Sequence, residues 1–384
     1  MRFKVAKQDL DSALQVVNAS LSGSGTGIET HYVFRRTGPD DAGKYGISVL
    51  TNSGLISASC PLIVAVEDEG TATEFTVEGG RLKQFLDAVP DTVLTFTFDD
   101  KDKETLVRAV RAKQSYPSLA PDFRYDWGEL LEEAKLTATV PAERLAGALS
   151  YSRRFAAPEN AKRPELSVCE VREGILYSTD QKGVTLVRMN GMAESNLRVH
   201  AKDVGGFLGF LSTCEGSDVE VLEHDRKLIL RRHDGAVFAE SRFEAEFPGF
   251  EVDMDEEDHH KWTLSKSDVV NGIKVLTSGS ADKDNRLHLA LGKEDGEVIL
   301  SMVTTNGKNT EYPIQNVEMD SIEDSPPIPP EGFFIDHFCL SKVLSSWKDD
   351  EITLGSNVKG ARGLTRVGVE LNGDKYLTIL AWLR

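Results

Sequence analysis

Apolar residues change their spacing twice within the stretch 197–223, LRVHAKDVGGFLGFLSTCEGSDVEVLE. Leu197 and Val199 alternate, which places them on one face of a strand. Asp203 then stands where a helix cap is expected, ahead of Val204, Phe207, Leu208, Phe210 and Leu211 at helical spacing. Gly216 ends that helix, and Val219, Val221 and Leu222 resume an extended pattern. One strand–helix–strand unit is generic. Here it recurs.

From the start of the chain, residues 3–5 read as a strand and 8–21 as a helix with Leu10, Leu14, Val17 and Leu21 along one stripe. A glycine- and serine-rich loop at 22–27 precedes short strands at 31–34, 46–50, 56–59 and 63–66. Phe75 and Val77 open a second unit, with a break at Gly79 and Gly80 and a helix bearing Leu82, Phe85, Leu86 and Val89. Strands follow at 93–98 and 106–113, and the acidic segment 129–133 reads as a solvated linker.

A second round begins at Leu136, with a strand over 136–140 and Pro141 at a helix start, where its missing N–H costs nothing. Leu145, Leu149 and Phe155 follow, then strands at 165–171, 174–178 and 184–189. After the 197–223 unit, 227–231 and 236–241 form a hairpin around His233-Asp234-Gly235, and the acidic run 251–258 reads as another linker. A third round begins at Trp262: a strand, a helix capped by Ser267 or Asp268 with Val269, Val270, Ile273 and Leu276, and strands at 287–291, 297–302 and 310–317. SPPIPP at 325–330 is a rigid connector. Beyond it come residues 333–335, a helix with Phe338, Leu340, Val343, Leu344 and Trp347, a strand at 352–354, and a hairpin of 367–371 with 376–383 around Asn372-Gly373.

The openings at Phe3, Leu136 and Trp262 are each answered by a second unit at Phe75, Leu197 and Phe333. The first two rounds also close alike, with APDFRYD and EFPGFEVD. The expected class is therefore α+β, in three tandem domains at 1–133, 134–258 and 259–384, each made of two strand–helix–strand half-repeats.

A formal charge of −18 over 384 residues argues against nucleic acid only if that charge is evenly spread. It is not. Arg144, Arg153, Arg154, Lys162 and Arg163 stand together against Glu159 alone, and Arg81, Lys83, Lys202, Lys274 and Lys342 lie on or beside predicted helices. Cys60, Cys169, Cys214 and Cys339 are scattered through packed patterns and read as reduced thiols. No stretch has the length of a membrane span, the first residues lack an apolar signal core, and the expected compartment is the cytoplasm.

Catalytic motifs are absent from the sequence. His259-His260 lacks the i, i+4 spacing of a helical metal pair, Asn306-Gly307-Lys308 lacks the remainder of a phosphate loop, and the glycines of SGSGTG follow a helix where a dinucleotide site needs a strand. No cofactor, metal or catalytic residue is expected.

MRFKVAKQDLDSALQVV, GRLKQFLDAVP, KLTATVPAERLAGAL, the Thr179-Asp180 pair, FPGF and the closing YLTILAWLR together resemble the DNA sliding clamps of the bacterial DNA polymerase III β-subunit family, over essentially the whole chain. The resemblance implies three DNA-clamp domains, a head-to-tail homodimer ring and a non-catalytic processivity factor. The implied partners are double-stranded DNA held without sequence reading, the polymerase and the clamp loader, with no membrane. Arg81, Lys162, Arg163 and Lys202 fall where the family carries DNA-facing positions, and Lys83, Arg153, Arg154 and Lys274 join the expected DNA-binding set on their charge and placement.

The resemblance further implies a partner-peptide pocket at Leu166, Thr179, Val184, Pro248, Val252, Ile379 and Leu380. Departures mark the chain as a divergent clamp, with a viral origin left open. After Thr179-Asp180 the family continues with Gly, an aromatic or His, and Arg, where this chain has Gln181-Lys182-Gly183; Trp382 stands in place of a proline. The rival readings are a clamp-fold interaction or regulatory module that does not encircle DNA, and an enzyme with a site of scattered residues.

Overall fold

The alternation of Phe3 and Val5 matches that of Leu94, Phe96 and Phe98, and those strands pair in antiparallel register, Phe3 opposite Phe96. The computed structural model describes residues 1–21, 27–39, 45–68, 72–119, 127–158, 162–214, 216–225, 227–244, 247–249, 254–279, 286–303, 309–329, 331–347, 349–359, 362–371 and 374–381. The α-helices among them are α1 (Lys7–Val17), α2 (Gly79–Ala88), α3 (Trp127–Glu133), α4 (Ala142–Ser152), α5 (Val204–Leu211), α6 (Lys266–Gly279) and α7 (His337–Ser346). Helices and antiparallel sheets together give the α+β class. The chain gathers into two units.

The first unit comprises Met1–Gly147, Glu194–Val199 and Asp203–Glu244. One of its sheets runs Ala65–Asp68, Arg2–Ala6, Val93–Asp99, Glu104–Arg108, Lys113–Pro117. The other runs Lys135–Pro141, Asp218–His224, Lys227–Arg231, Val237–Ser241, Ile56–Leu62, Tyr45–Asn52, His31–Pro39, Glu74–Glu78. Strands from the first and second rounds of the sequence meet in this sheet, with Val237 opposite Ser59 and Glu240 opposite Ile56. Phe3 stacks on Phe96 at 5.1 Å and Phe34 on Phe75 at 5.1 Å, so aromatic area dominates the core between the two sheets.

One glycine of α5, Gly206, has a packing cause. A Cβ on Gly206 would lie 3.1 Å from the Phe238 ring and 3.2 Å from the Ala19 carbonyl oxygen, so the bare backbone lets this helix close on its neighbours.

The second unit comprises Ala148–Ala193, His200–Lys202 and Ala245–Arg384. Its larger sheet includes, in order, Val168–Arg172, Ile175–Thr179, Gly183–Arg188, Asp374–Ala381, Arg362–Leu371, Glu351–Lys359, His260–Ser265 and Glu318–Ser321. Its smaller sheet runs Asn309–Ile314, Val298–Val303, Arg286–Leu291, Phe333–Asp336. Trp262, Leu276, Leu289, Phe333, Leu340 and Phe155 share one buried cluster.

Several local expectations are corrected. Gly79 and Gly80 do not break the chain but form the first turn of α2. Residues 106–113 are not one strand; the chain turns between Glu104–Arg108 and Lys113–Pro117, which pair with each other. The 129–133 segment is no solvated linker but part of α3, whose Trp127, Leu130 and Leu131, with Ala134, pack on Leu222, Ile229, Val237 and Ala239. Asp203 precedes α5 without a side-chain cap bond, whereas Asp336 caps α7 by accepting from the Phe338 and Cys339 N–H groups.

The described part of the second acidic run, from Met254 onward, is also no solvated linker. Arg188 and Lys375 reach Asp255 at 2.6 and 3.2 Å, and Arg366, only 4 % exposed, donates to the Met254 and Glu256 carbonyl oxygens.

Candidate nucleic-acid and peptide interfaces

Antiparallel pairing decides which of the expected pocket residues share a face. Thr179 lies opposite Val184, and Val184 lies opposite Ile379, so these three form a row across adjacent strands. Ile379 and Leu377 join Leu186 and Met254 in a buried cluster, against which the half-buried Ile175, Tyr177 and Val184 pack. Leu380 is next along its strand and therefore points the other way, into the core with Phe155 and Trp262. Leu166 is buried at the end of a 3-10 turn, Pro164–Leu166, and its carbonyl oxygen accepts the Ala157 N–H.

Pro248 is half-buried beside Phe247, which Arg172 holds twice: by a 2.6 Å bond to its carbonyl oxygen and by lying 5.7 Å from its ring. Val252 lies outside the described residues.

The turn linking Thr179 to Val184 is tightly specified. The Thr179 hydroxyl donates to the Gly183 carbonyl oxygen and accepts from the Gln181 N–H, while Asp180 accepts the Lys182 and Gly183 N–H groups. Gln181 sits at φ +76°, which a non-glycine residue adopts only when its surroundings hold it there. Two ion pairs also tie the turn to α7 and to its N-cap residue. The Lys182 ammonium lies 3.0 Å from Asp336, and Asp180 lies 2.8 Å from Lys342, whose ammonium also rests 5.3 Å from the Phe155 ring. Bonding to Asp336 raises the Lys182 pKa above its ordinary value against the opposing effect of desolvation.

Met254, the Lys182–Asp336 pair and Arg366 were not among the sequence candidates. A lone apolar residue inside MDEED marked the first, and an Asp just before the α7 stripe marked Asp336 as a cap. The pairing itself has no local signature.

The basic candidates divide between the units. In the first, the α2 residues Leu82, Phe85 and Leu86 are buried, so Lys83 is turned out and exposed. Arg81 pairs loosely with Glu78 at 3.8 Å and lies 5.5 Å from the Tyr116 ring. In the second unit Arg153 and Arg154 are exposed in the turn after α4, with Arg154 donating to Ser345 on α7 at 3.1 Å. Lys162 is exposed, and Arg163 bonds Glu165 at 2.7 Å, which holds that carboxylate below its ordinary pKa. Lys202 is exposed just before α5 and Lys274 on α6. The Arg153–Arg154 turn and the Lys162–Arg163 loop each expose cationic side chains to solvent. Among the described residues no group of three His, Cys, Asp or Glu side chains is placed to hold a metal ion.

No family model matches the sequence, and no curated protein matches it. Solved structures do. The DNA polymerase III subunit beta from Pseudomonas aeruginosa superposes with a TM-score of 0.79 at 15 % identity, covering 100 % of both chains. The Thermotoga maritima β subunit gives 0.77 at 14 % identity, over 100 % of this chain and 99 % of that one. The DNA polymerase sliding clamp from Caulobacter crescentus gives 0.77 at 17 % identity over the whole of both. From end to end, and despite its sequence divergence, this chain has the fold of the DNA polymerase III β-subunit sliding clamps.

Proposed function

We propose that the protein is a DNA polymerase processivity factor, a non-catalytic clamp of three domains at 1–133, 134–258 and 259–384 whose two copies close head to tail around duplex DNA. The observation that carries this reading is the full-length likeness to proteins described as DNA polymerase sliding clamps, with no part of either chain left over. Ring closure pairs the sheet edges that a single chain leaves open. Arg81, Lys83, Arg153, Arg154, Lys162, Arg163, Lys202 and Lys274 meet backbone phosphates, which gives attraction without sequence reading and so permits sliding. An overall charge of −18 keeps DNA off the remaining surface.

The row Thr179, Val184 and Ile379 receives a short peptide of the polymerase or the clamp loader, with Leu166, Pro248, Val252 and Leu380 as the further pocket positions that the resemblance implies. Apolar anchors in a rigid groove supply the affinity. No cofactor or metal takes part, and the setting is the cytoplasm; among the described residues no helix is long and apolar enough to cross a membrane.

The reading is tested by light scattering and primer extension. The expected mass is twice that of the 42.2 kDa chain, and the expected activity is longer products from the replicative polymerase of the same organism when its loader is present. Monomer alone at micromolar concentration, or product lengths unchanged by the protein, would overturn it.

A further inference from the structure

The turn 179–183 carries the residues in which this chain departs most plainly from the family, and the structure ties that turn to α7 through them. Lys182 reaches across with a side chain that is half exposed along its length, yet its ammonium ends on a carboxylate that is only 5 % exposed. Asp336 uses one oxygen to cap α7 and the other to accept from Lys182, so the cap and the turn share one buried anion. A carboxylate so placed needs a partner, because an uncompensated buried charge is costly. Six residues further along, Lys342 takes Asp180, the same side chain that organises the turn backbone. One more turn along, Ser345 accepts from Arg154. The start, middle and end of α7 are thus each bonded to the segment 154–182.

We propose, resting on the peptide-groove reading above, that Lys182 and Asp180 are positioning residues: paired with Asp336 at the N-cap of α7 and with Lys342 within it, they hold the wall bearing Thr179 and Val184 in its peptide-binding conformation. Neither needs to touch the peptide. Without the pairs, the strained Gln181 conformation loses its external support and the wall samples other shapes, so the fraction of chains ready to bind falls and apparent affinity falls with it. Because the Lys182 ammonium is reached by solvent, salt weakens the staple, and affinity for an apolar anchor acquires a salt dependence that its own burial does not have.

The test uses short overlapping fluorescein-labelled peptides that tile the replicative polymerase of the same organism, read by anisotropy against the full-length protein. The wild type is expected to bind at least one. Lys182→Ala should bind it roughly ten-fold more weakly and with less salt dependence, and Lys182→Arg should restore most of the affinity. Asp336→Asn keeps a cap acceptor but removes the charge, so Lys182→Ala combined with Asp336→Asn should weaken binding little more than either alone.

Equal affinity of Lys182→Ala and wild type would overturn the positioning role and leave the groove reading intact. A lowered Tm with an unchanged Kd for the folded fraction would also overturn it, by showing a role in stability alone. No binding by the wild type would remove the groove reading and this proposal with it.

Discussion

Val184 and Ile379 face each other across adjacent antiparallel strands, one from the second round of the sequence and one from the third. Their pairing places two apolar side chains in a row with Thr179, above a cluster that includes Leu186, Leu377 and Met254. Val184 is only half-buried, so it can be changed without opening the core. Val184→Lys should weaken peptide binding at least roughly ten-fold, because a desolvated ammonium replaces apolar surface, while the Tm stays close to wild type. Anisotropy titration beside a thermal melt checks both halves of this expectation.

The exposed cations should be visible in the salt dependence of DNA affinity. Removing one cation that neutralises a phosphate lowers the slope of log K against log salt by about 0.9. Arg153→Ala and Lys162→Ala should each reduce the slope by about that amount and act alike on different DNA sequences. The quadruple charge reversal of Arg153, Arg154, Lys162 and Arg163 should flatten the salt dependence further and weaken equilibrium binding to linear DNA at moderate salt. An unchanged slope in the quadruple variant would remove the electrostatic basis of the account.

Trp127 on α3 should prove to be a packing residue. It packs against a cluster containing Leu222, Ile229, Val237 and Ala239 and is itself half-buried. Trp127→Ala is expected to cost about 1–2 kcal/mol, below the range for a fully buried aromatic, as read by denaturant unfolding. Glu129→Gln on the same helix, where Glu129 is exposed, should change stability by less than about 0.5 kcal/mol.

Asp255 and Asp258 should titrate in opposite directions. Asp255 bonds Arg188 and Lys375 and has its pKa lowered, so its contribution to stability is present above the unfolded-state value and is lost as pH falls through the lower folded midpoint. Asp258 has its pKa raised, chiefly by burial and despite Arg366, so its charged form is a cost at neutral pH that disappears as pH falls through the raised midpoint. Carboxyl NMR titration should place Asp255 below and Asp258 above the ordinary value of about 3.9.

The four cysteines should resist alkylation in the native state. All are buried; burial pushes the Cys60 thiol up to about 11 and those of Cys169 and Cys339 up to about 12, and raises that of Cys214 as well. Iodoacetamide at neutral pH should label none before unfolding and all four afterwards, as mass spectrometry would show.

Much of the fold was legible because its units are local. The stripes of α1, α2, α6 and α7, and the hairpin whose turn Gly235 completes at φ +86°, rest on spacing and turn chemistry that a single stretch carries. The errors had physical causes as local as the successes. Charge density in WGELLEE hid a stripe of Trp127, Leu130, Leu131 and Ala134 at helical spacing, and paired glycines looked like a break although a helix's first turn tolerates them.

The interfaces were less legible. Alternation places Ile379 and Leu380 on opposite faces, but which face meets Val184 depends on a pairing between distant strands. The Lys182–Asp336 and Arg366–Met254 bonds likewise join segments with no shared local pattern.

The most direct measurement of the central claim is retention on DNA of defined topology. The protein is loaded by its clamp loader onto nicked circular DNA, isolated with the circle, and followed after a restriction enzyme linearises it. A clamp held by encirclement stays on the circle at a salt concentration that disrupts ordinary phosphate binding and leaves within minutes of linearisation. Retention on the linear DNA, or loss from the intact circle at that salt, would contradict a topological ring.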